Sequence, residues 1–213
     1  MPREEKITKG LKMIDLPVYK NALSKISKTF QGEFIGLEAL LHSCLSNELP
    51  KDKVKHEVKL ADIGACQICG DDDGRLDILY NNYGIELKVV KFPRPNAVIS
   101  KALYDIGQLS SDYWRIKHAK KLEGGELCIL LAGCLVAELA NPTAILREFH
   151  NRMFVDYMTS KSFGELKTQH TKKRENQIRA IEDMGFHEPY NFKKGKKIVF
   201  DKDLALVIIP VVK

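Results

Sequence analysis

The stretch GRLDILYNNYGIELK, residues 74–88, is the most informative part of this 213-residue chain. Two short apolar segments, 76–80 and 84–90, flank Asn81-Asn82-Tyr83-Gly84 and predict a β-hairpin. Asparagine and glycine tolerate the positive φ angles that a tight turn requires. This part of the sequence therefore predicts two adjacent antiparallel strands.

Three charged side chains interrupt the two apolar strands: Asp77, Glu86 and Lys88. Because side chains alternate across a strand, Glu86 and Lys88 should project to the same face, where Asp77 of the paired strand can meet them. Burying two carboxylates and an ammonium is costly unless their charge is compensated, and a divalent cation would compensate it. The alternative is a favourable Glu–Lys pair on an exposed strand.

The neighbouring segments predict an α/β protein. Apolar residues recur at helical spacing in 33–47, and apolar and polar residues alternate in 54–61, with Val54, His56, Val58 and Leu60 on one face. Residues 126–136 are continuously apolar after Glu126, which is typical of a central strand buried on both faces. The predicted order is a helix, three strands, a long helix ended by Gly124-Gly125, and a fourth strand: 33–47, 54–61, 76–80, 84–90, 100–122 and 126–136.

The two ends of the chain lie outside this core. Residues 1–32 are Lys-rich and are expected to form a helix or arm at the edge of the domain. In the segment 137–213, Asn141-Pro142 is typical of a helix start. The predicted elements there are two helices and a β-hairpin, over 142–160, 163–184, 197–200 and 204–212. We expect one domain over 1–213, with its core at about 33–136.

This pattern resembles the PD-(D/E)xK nuclease superfamily, in particular its restriction-endonuclease and RecB-like branches. The family motif is Gly-x-x-Asp on one strand and Glu-x-Lys on the next, matching Gly74–Asp77 and Glu86–Lys88. The residue before the aspartate is Leu76 and not proline, which many members also lack. The resemblance covers about residues 33–136. It implies a restriction-endonuclease-like αβββαβ core, in which a mixed sheet is flanked by helices, with extra C-terminal helices and a β-hairpin.

The resemblance also implies a metal site. Asp77 and Glu86 would hold Mg²⁺, for which Mn²⁺ would substitute, together with the backbone carbonyl of Leu87. Lys88 would hold the attacking water or the phosphate, or act on the water as a base.

Two helix residues would complete the active site by the same resemblance. Glu38 would reach toward a second ion or its water shell, and Gln108 would lie near the scissile phosphate. A solvated helix surface is the alternative for both residues. For Tyr113, which family members place near that phosphate, core packing is favoured here.

The formal net charge of +6 fits a polyanionic partner and equally fits ordinary solubility. Basic runs are usually solvated surfaces. Given a nuclease core, however, phosphate contacts are expected from side chains near the motif and in a later basic stretch: Arg75, Lys91, Lys172, Lys173 and Arg174.

Five cysteines, an odd number, indicate free thiols in a reducing cytoplasm. Cys66 and Cys69 lack the second pair of ligands that structural zinc requires, so two ordinary thiols are expected. The charged N-terminus argues against a signal peptide. No apolar run approaches the ~18 residues of a membrane span, so no membrane association is expected.

The resemblance implies a Mg²⁺-dependent DNA endonuclease, similar to homodimeric type II restriction enzymes. The alternatives are a RecB-like exonuclease, a resolvase or a phage-defence nuclease. A non-catalytic nucleic-acid-binding subunit of the same fold is a further alternative. The presence of Asp77, Glu86 and Lys88 together argues against that last reading.

Overall fold

A computed structural model describes residues 14–30, 32, 35–65, 74–92, 106–155, 172–186 and 195–213. We number the elements in chain order. They are α1 (Leu16–Thr29), α2 (Leu37–Asn47), a 3₁₀ turn (Lys51–Lys53), β1 (Val54–Lys59), β2 (Arg75–Tyr80), β3 (Tyr83–Lys91), α3 (Ile106–His118), β4 (Gly124–Ala132), α4 (Cys134–Leu139), α5 (Pro142–His150), a π-helical turn (Asn151–Val155), α6 (Lys172–Asp183), β5 (Lys197–Asp201) and β6 (Leu204–Val211).

The six described strands form one mixed sheet in the order β1-β2-β3-β4-β6-β5. The central strands β3 and β4 are parallel, and every other neighbouring pair is antiparallel. Parallel neighbours require a crossover connection, and α3 lies in the segment that joins them. The predicted α/β class, the mixed sheet and the succession of helix, three strands, helix and strand are confirmed.

The alternation of side chains along the central strands builds a hydrophobic core on each face of the sheet. In β3, Ile85 and Leu87 join one core, which we call the α1/α2 core, while Val90 joins the other, the α3 core, together with Phe92 just after the strand. The α3 core also receives apolar residues of α4, α5 and α6. The protein therefore has three layers, and α1 packs over β5 and β6 at one side of the sheet.

The hairpin between β2 and β3 has the predicted turn. Tyr80 pairs with Tyr83, and Asn81 between them has a φ of 54°. A side-chain amide tolerates this left-handed conformation better than a branched side chain would. The turn is thus Asn81-Asn82, and β3 begins one residue earlier than predicted.

The predicted strand over 126–136 is confirmed as far as Ala132 and is wrong beyond it. β4 ends at Ala132, Gly133 has a φ of 146°, and the next residues form α4. A Cβ at Gly133 would lie 2.5 Å from the carbonyl oxygen of Phe92, so the chain turns where only glycine fits. The apolar run continues past this turn because Leu135 and Val136 are buried in the α3 core. Periodicity alone does not separate a short buried strand from the start of a buried helix.

Gly124 and Gly125 also differ from the prediction, because they begin β4 and do not end the preceding helix, which stops at His118. A Cβ at Gly125 would lie 2.2 Å from the carbonyl oxygen of Gly84. The glycine therefore serves the close approach of two strands.

The remaining helix predictions are confirmed in part. α2 begins at Leu37, after Gly36 with a φ of 77°. The Asn141 side chain accepts hydrogen bonds from the Thr143 and Ala144 amides at 2.9 and 3.1 Å, as expected of a helix cap. The predicted parts of helices at 33–34, 100–105, 156–160 and 163–171 lie outside the described residues. The C-terminal hairpin of β5 and β6 is confirmed.

Candidate active site

The first two strands rotate sharply at the same level of the sheet. In β1, Val54 packs on the α1/α2 core, whereas Val58 packs on the α3 core, so the predicted single apolar face is wrong. Glu57, with a φ of 50°, lies between them and breaks the regular alternation. In β2, Leu76 and Ile78 likewise join opposite cores. Asp77 therefore occupies the point at which β2 rotates.

Strands β2 and β3 separate next to Asp77. Their paired positions end at Ile78 and Ile85, and beyond this point the Leu87 amide donates to Oδ2 of Asp77 at 2.6 Å. A side-chain carboxylate thus takes the place of a backbone acceptor in the gap between the strands. The amide and carbonyl of one strand residue point to the same side, so the Leu87 carbonyl also faces this gap.

The α2 helix also contacts Asp77. Nε2 of His42 lies 3.2 Å from the Asp77 backbone carbonyl oxygen, and the His42 ring lies 4.9 Å from the His56 ring. The contact of His42 fixes the backbone of Asp77 from the helix side.

Glu86 and Lys88 project to the same face of β3, as the alternation predicts. Nζ of Lys88 lies 2.8 Å from Oε1 of Glu86. Both residues are buried, with 8% and 7% of their surfaces exposed. Charged groups are rarely buried to this extent unless they are paired, so this ion pair is an unusual feature of the sheet.

Asp112 of α3 is the site residue that the sequence analysis missed. Its Oδ2 lies 3.5 Å from Nζ of Lys88, and its Oδ1 accepts a hydrogen bond from Arg115 at 3.0 Å. The sequence held one signal: Asp112 lies beside the apolar face formed by Leu109, Tyr113 and Ile116, where a carboxylate is out of place. Tyr113 is buried in the core, as predicted.

Burial dominates the electrostatics of the carboxylates. It raises the pKa of Glu86, which Asp112 and Asp77 raise further and which Lys88 lowers. Burial also raises the pKa of Asp77, against the Leu87 hydrogen bond and Lys88. The pKa of Asp112 is raised by burial and lowered by Lys88 and Arg115. Three carboxylates thus compete for too little positive charge, and an added cation would relieve this competition.

The two predicted helix residues occupy different positions relative to this cluster. Glu38 is exposed in the first turn of α2, and its pKa is raised by partial burial and lowered by Lys88. Its carboxylate therefore lies within electrostatic range of the cluster. Gln108 is exposed on α3, one turn before Asp112.

The predicted phosphate-contacting residues are dispersed. Arg75 is exposed on β2, and its guanidinium donates to the Glu57 carbonyl at 3.2 Å. Lys91 is exposed at the end of β3. Residues 172–174 begin α6, but the side chains of Lys172, Lys173 and Arg174 lie outside the described part of the structure, as do Cys66 and Cys69.

The cluster offers few protein ligands for an ion. Within the described ranges, no group of three or more His, Cys, Asp or Glu side chains is arranged to hold a metal ion. Asp77 and Glu86 provide two carboxylates, and the Leu87 carbonyl faces the same gap. An ion held here would complete its coordination with water.

Among the helices that the structure describes, none combines the length and apolar character needed to cross a lipid bilayer.

Comparison with known proteins finds no relative of this chain. No protein-family model matches it, and neither a curated protein nor a solved structure matches it.

Proposed function

We propose that the protein is a Mg²⁺-dependent DNA endonuclease with a restriction-endonuclease-like core formed by α2, β1, β2, β3, α3 and β4. The observation that supports this proposal is the cluster of Asp77, Glu86 and Lys88 at the point where β2 separates from β3. Two acids and an amine that are buried beside a gap in a sheet do not favour the stability of the fold, because the burial of charge is unfavourable. The arrangement suits a site that binds a cation and a phosphate.

The donor atoms fit magnesium. Carboxylate and carbonyl oxygens are hard ligands, and Mg²⁺ usually retains several waters and uses one or two protein carboxylates. Asp77, Glu86 and the Leu87 carbonyl would hold it. When bound, the ion would supply a water of lowered pKa and neutralise charge on the phosphate.

Lys88 would contribute a positive charge at the reacting phosphate. Its ammonium lies between Glu86 and Asp112, at 2.8 and 3.5 Å, and is therefore held in place before substrate binds. Preorganised charge of this kind stabilises a transition state more than mobile charge does. Asp112, itself held by Arg115, acts as a positioning residue through Lys88.

The test is to incubate supercoiled plasmid, and separately the same plasmid after linearisation, with the protein and Mg²⁺ or Mn²⁺, and both in parallel with chelator. The matched variant is Asp77→Asn, because asparagine keeps an oxygen that can accept the Leu87 amide hydrogen bond. The control is Asp52→Asn, which changes an exposed aspartate in the 3₁₀ turn before β1.

Discrete linear fragments from the wild type and from Asp52→Asn, and none from Asp77→Asn or with chelator, are the expected result. Progressive shortening of the linearised plasmid, with the supercoiled plasmid left intact, would replace the endonuclease by an exonuclease that uses the same residues. A gel shift without cleavage of either plasmid would contradict an enzymatic role and favour a binding subunit. A homodimer would present two sites related by symmetry, one for each strand of a palindrome.

A further inference from the structure

A groove lies beside the edge strand β1. Its volume is about 590 Å³, and it is lined by residues of β1, β2, the loop after β1 and the α3–β4 loop. We propose that this β1 groove binds the phosphodiester backbone of one polynucleotide strand and leads it to the candidate active site. The inference deepens the proposed function and rests on it for the identity of the ligand.

The charge of the groove favours a polyanion. Four cationic side chains line it, and they outnumber the two carboxylates of Glu57 and Asp62: the cations are Lys55, Lys59, Arg75 and Lys121. All four are exposed. Among the described residues, no ion pair is recorded for the three lysines. Lysine and arginine side chains that line a groove in this way neutralise phosphates and release counterions.

One pair of these cations is unfavourable in the protein alone. Lys59 of β1 and Arg75 of β2 lie directly opposite each other in the strand register. Like charges at directly opposite positions of two strands destabilise the pairing, whereas opposite charges stabilise it. A bound phosphate between the two side chains would turn this repulsion into attraction.

The walls of the groove are suited to a nucleic acid strand and are too small for a duplex. Ile63, Leu79 and Leu122 supply apolar surface beneath the cations. Grooves that bind a single strand combine basic residues with surfaces on which bases stack. The volume lies within the ~300–1,000 Å³ of small-ligand pockets, so it admits one backbone.

The groove lies beside the active-site cluster. Glu57 lines the groove, and its neighbours His56 and Val58 pair with Ile78 and Leu76, so Glu57 lies opposite Asp77. Arg75 precedes Asp77 by two residues on β2. A strand that occupies the groove would therefore pass beside the carboxylates that would hold the cation.

The experiment measures binding separately from cleavage. Fluorescence anisotropy of a short labelled single-stranded oligonucleotide is followed in the full-length Asp77→Asn protein at several salt concentrations. The groove variant adds Lys55→Gln and Lys59→Gln, and a second variant in a different element adds Lys121→Gln. The control adds Lys28→Gln and Lys202→Gln, which remove the same charge from exposed sites on α1 and the β5–β6 turn.

We expect the groove variant to bind about tenfold more weakly and to lower the salt slope by about 1.4, since each phosphate contact contributes ~0.7 to the slope for a single strand. Lys121→Gln should lower the slope by about 0.7, and the control should keep the full slope. Equal losses in the groove and control variants would overturn the β1 groove, and so would unchanged slopes or an absence of binding. If the oligonucleotide binds as expected but the wild type cleaves no DNA with Mg²⁺, the groove stands and the proposed nuclease activity is wrong.

Discussion

At the scale of single residues, Asp77 has two separable roles. Its carboxylate accepts the Leu87 amide in the gap between β2 and β3, and it carries a negative charge beside Lys88. Asp77→Asn keeps the acceptor and removes the charge, so we expect cleavage to fall at least about 100-fold with little change in stability. Asp77→Ala removes both and should also lower the free energy of unfolding by about 1–3 kcal/mol.

Initial cleavage rates and urea unfolding of the two variants check this separation. If Asp77→Asn lowers stability as much as Asp77→Ala does, the negative charge of Asp77 itself stabilises the fold, and the two roles are not separable. If Asp77→Asn cleaves at the wild-type rate, Asp77 does not belong to an active site.

Asp112 provides a second test at this scale, because it acts through Lys88. Asp112→Asn should lower the cleavage rate about tenfold, which corresponds to ~1.4 kcal/mol. In a Lys88→Gln background, the same change should have little effect, because the ammonium that it positions is already gone. Single-turnover rates of the four proteins give the coupling. Equal losses in both backgrounds would contradict a role through Lys88.

At the scale of single elements, the close approach of the β3 and β4 backbones requires glycine at position 125. Gly125 lies against the Gly84 carbonyl, where a Cβ would be 2.2 Å away. Gly125→Ala should therefore destabilise the protein by about 2–4 kcal/mol, as overpacking and shifted strands do. The comparison is Gly32→Ala, because Gly32 has a φ of 86° but no atom within 4 Å of the position that an added Cβ would take. A loss for Gly125→Ala no larger than that for Gly32→Ala would contradict the crowding.

Glu126 of β4 is a fully buried acid outside the candidate site. It accepts hydrogen bonds from the hydroxyls of Tyr19 and Tyr83 and from the Cys128 thiol. Burial raises its pKa from 4.5 to about 8, whereas the Cys128 hydrogen bond and Lys197 lower it. Between these two values, the folded protein retains a proton that the unfolded chain has lost. The contribution of Glu126 to stability therefore falls as pH rises, by up to about 1.4 kcal/mol per pH unit.

Glu126→Gln isolates this effect, because glutamine does not titrate. Urea unfolding of both proteins at about pH 5.5 and about pH 7.5 samples the window. We expect the stability of the wild type relative to Glu126→Gln to be greater at the lower pH. Parallel stability curves would show that Glu126 is ionised in the folded protein.

The sequence predicts elements well where local chemistry decides them. The β2–β3 hairpin follows from Asn81 and its apolar flanks, and the start of α5 follows from the Asn141 cap. Prediction from the sequence fails where contacts between distant residues decide the local structure. Gly133 ends β4 because Phe92 lies against it, and Glu57 rotates β1 although its neighbours alternate regularly.

The same distinction applies to the candidate site. Glu86 and Lys88 lie on a common face because they are two residues apart on one strand, which the sequence shows directly. The contact of Asp112 with Lys88 depends on how α3 packs on the sheet, and nothing in the local sequence specifies it. The gap beside Asp77 depends on the loss of pairing between two strands, which the apolar pattern of 76–90 does not reveal.

At the scale of the whole molecule, the candidate site is contacted from both helix layers of the fold. Asp77 is contacted by His42 of α2 on one side of the sheet, and Lys88 is contacted by Asp112 of α3 on the other. Both helix layers therefore hold groups at the gap between β2 and β3. Glu57, which lies opposite Asp77, also lines the basic β1 groove at the edge of the sheet.

Direct measurement of Mn²⁺ binding tests the central claim, since the loss of the free-ion electron paramagnetic resonance signal reports bound metal without requiring cleavage. The protein is titrated in the presence of a phosphorothioate oligonucleotide that resists hydrolysis. We predict that the wild type binds Mn²⁺ in competition with Mg²⁺, and that Asp77→Asn and Glu86→Gln each weaken binding at least about tenfold. Equal binding by the wild type and both variants, or no binding by any of them, would contradict a cation site between these two carboxylates.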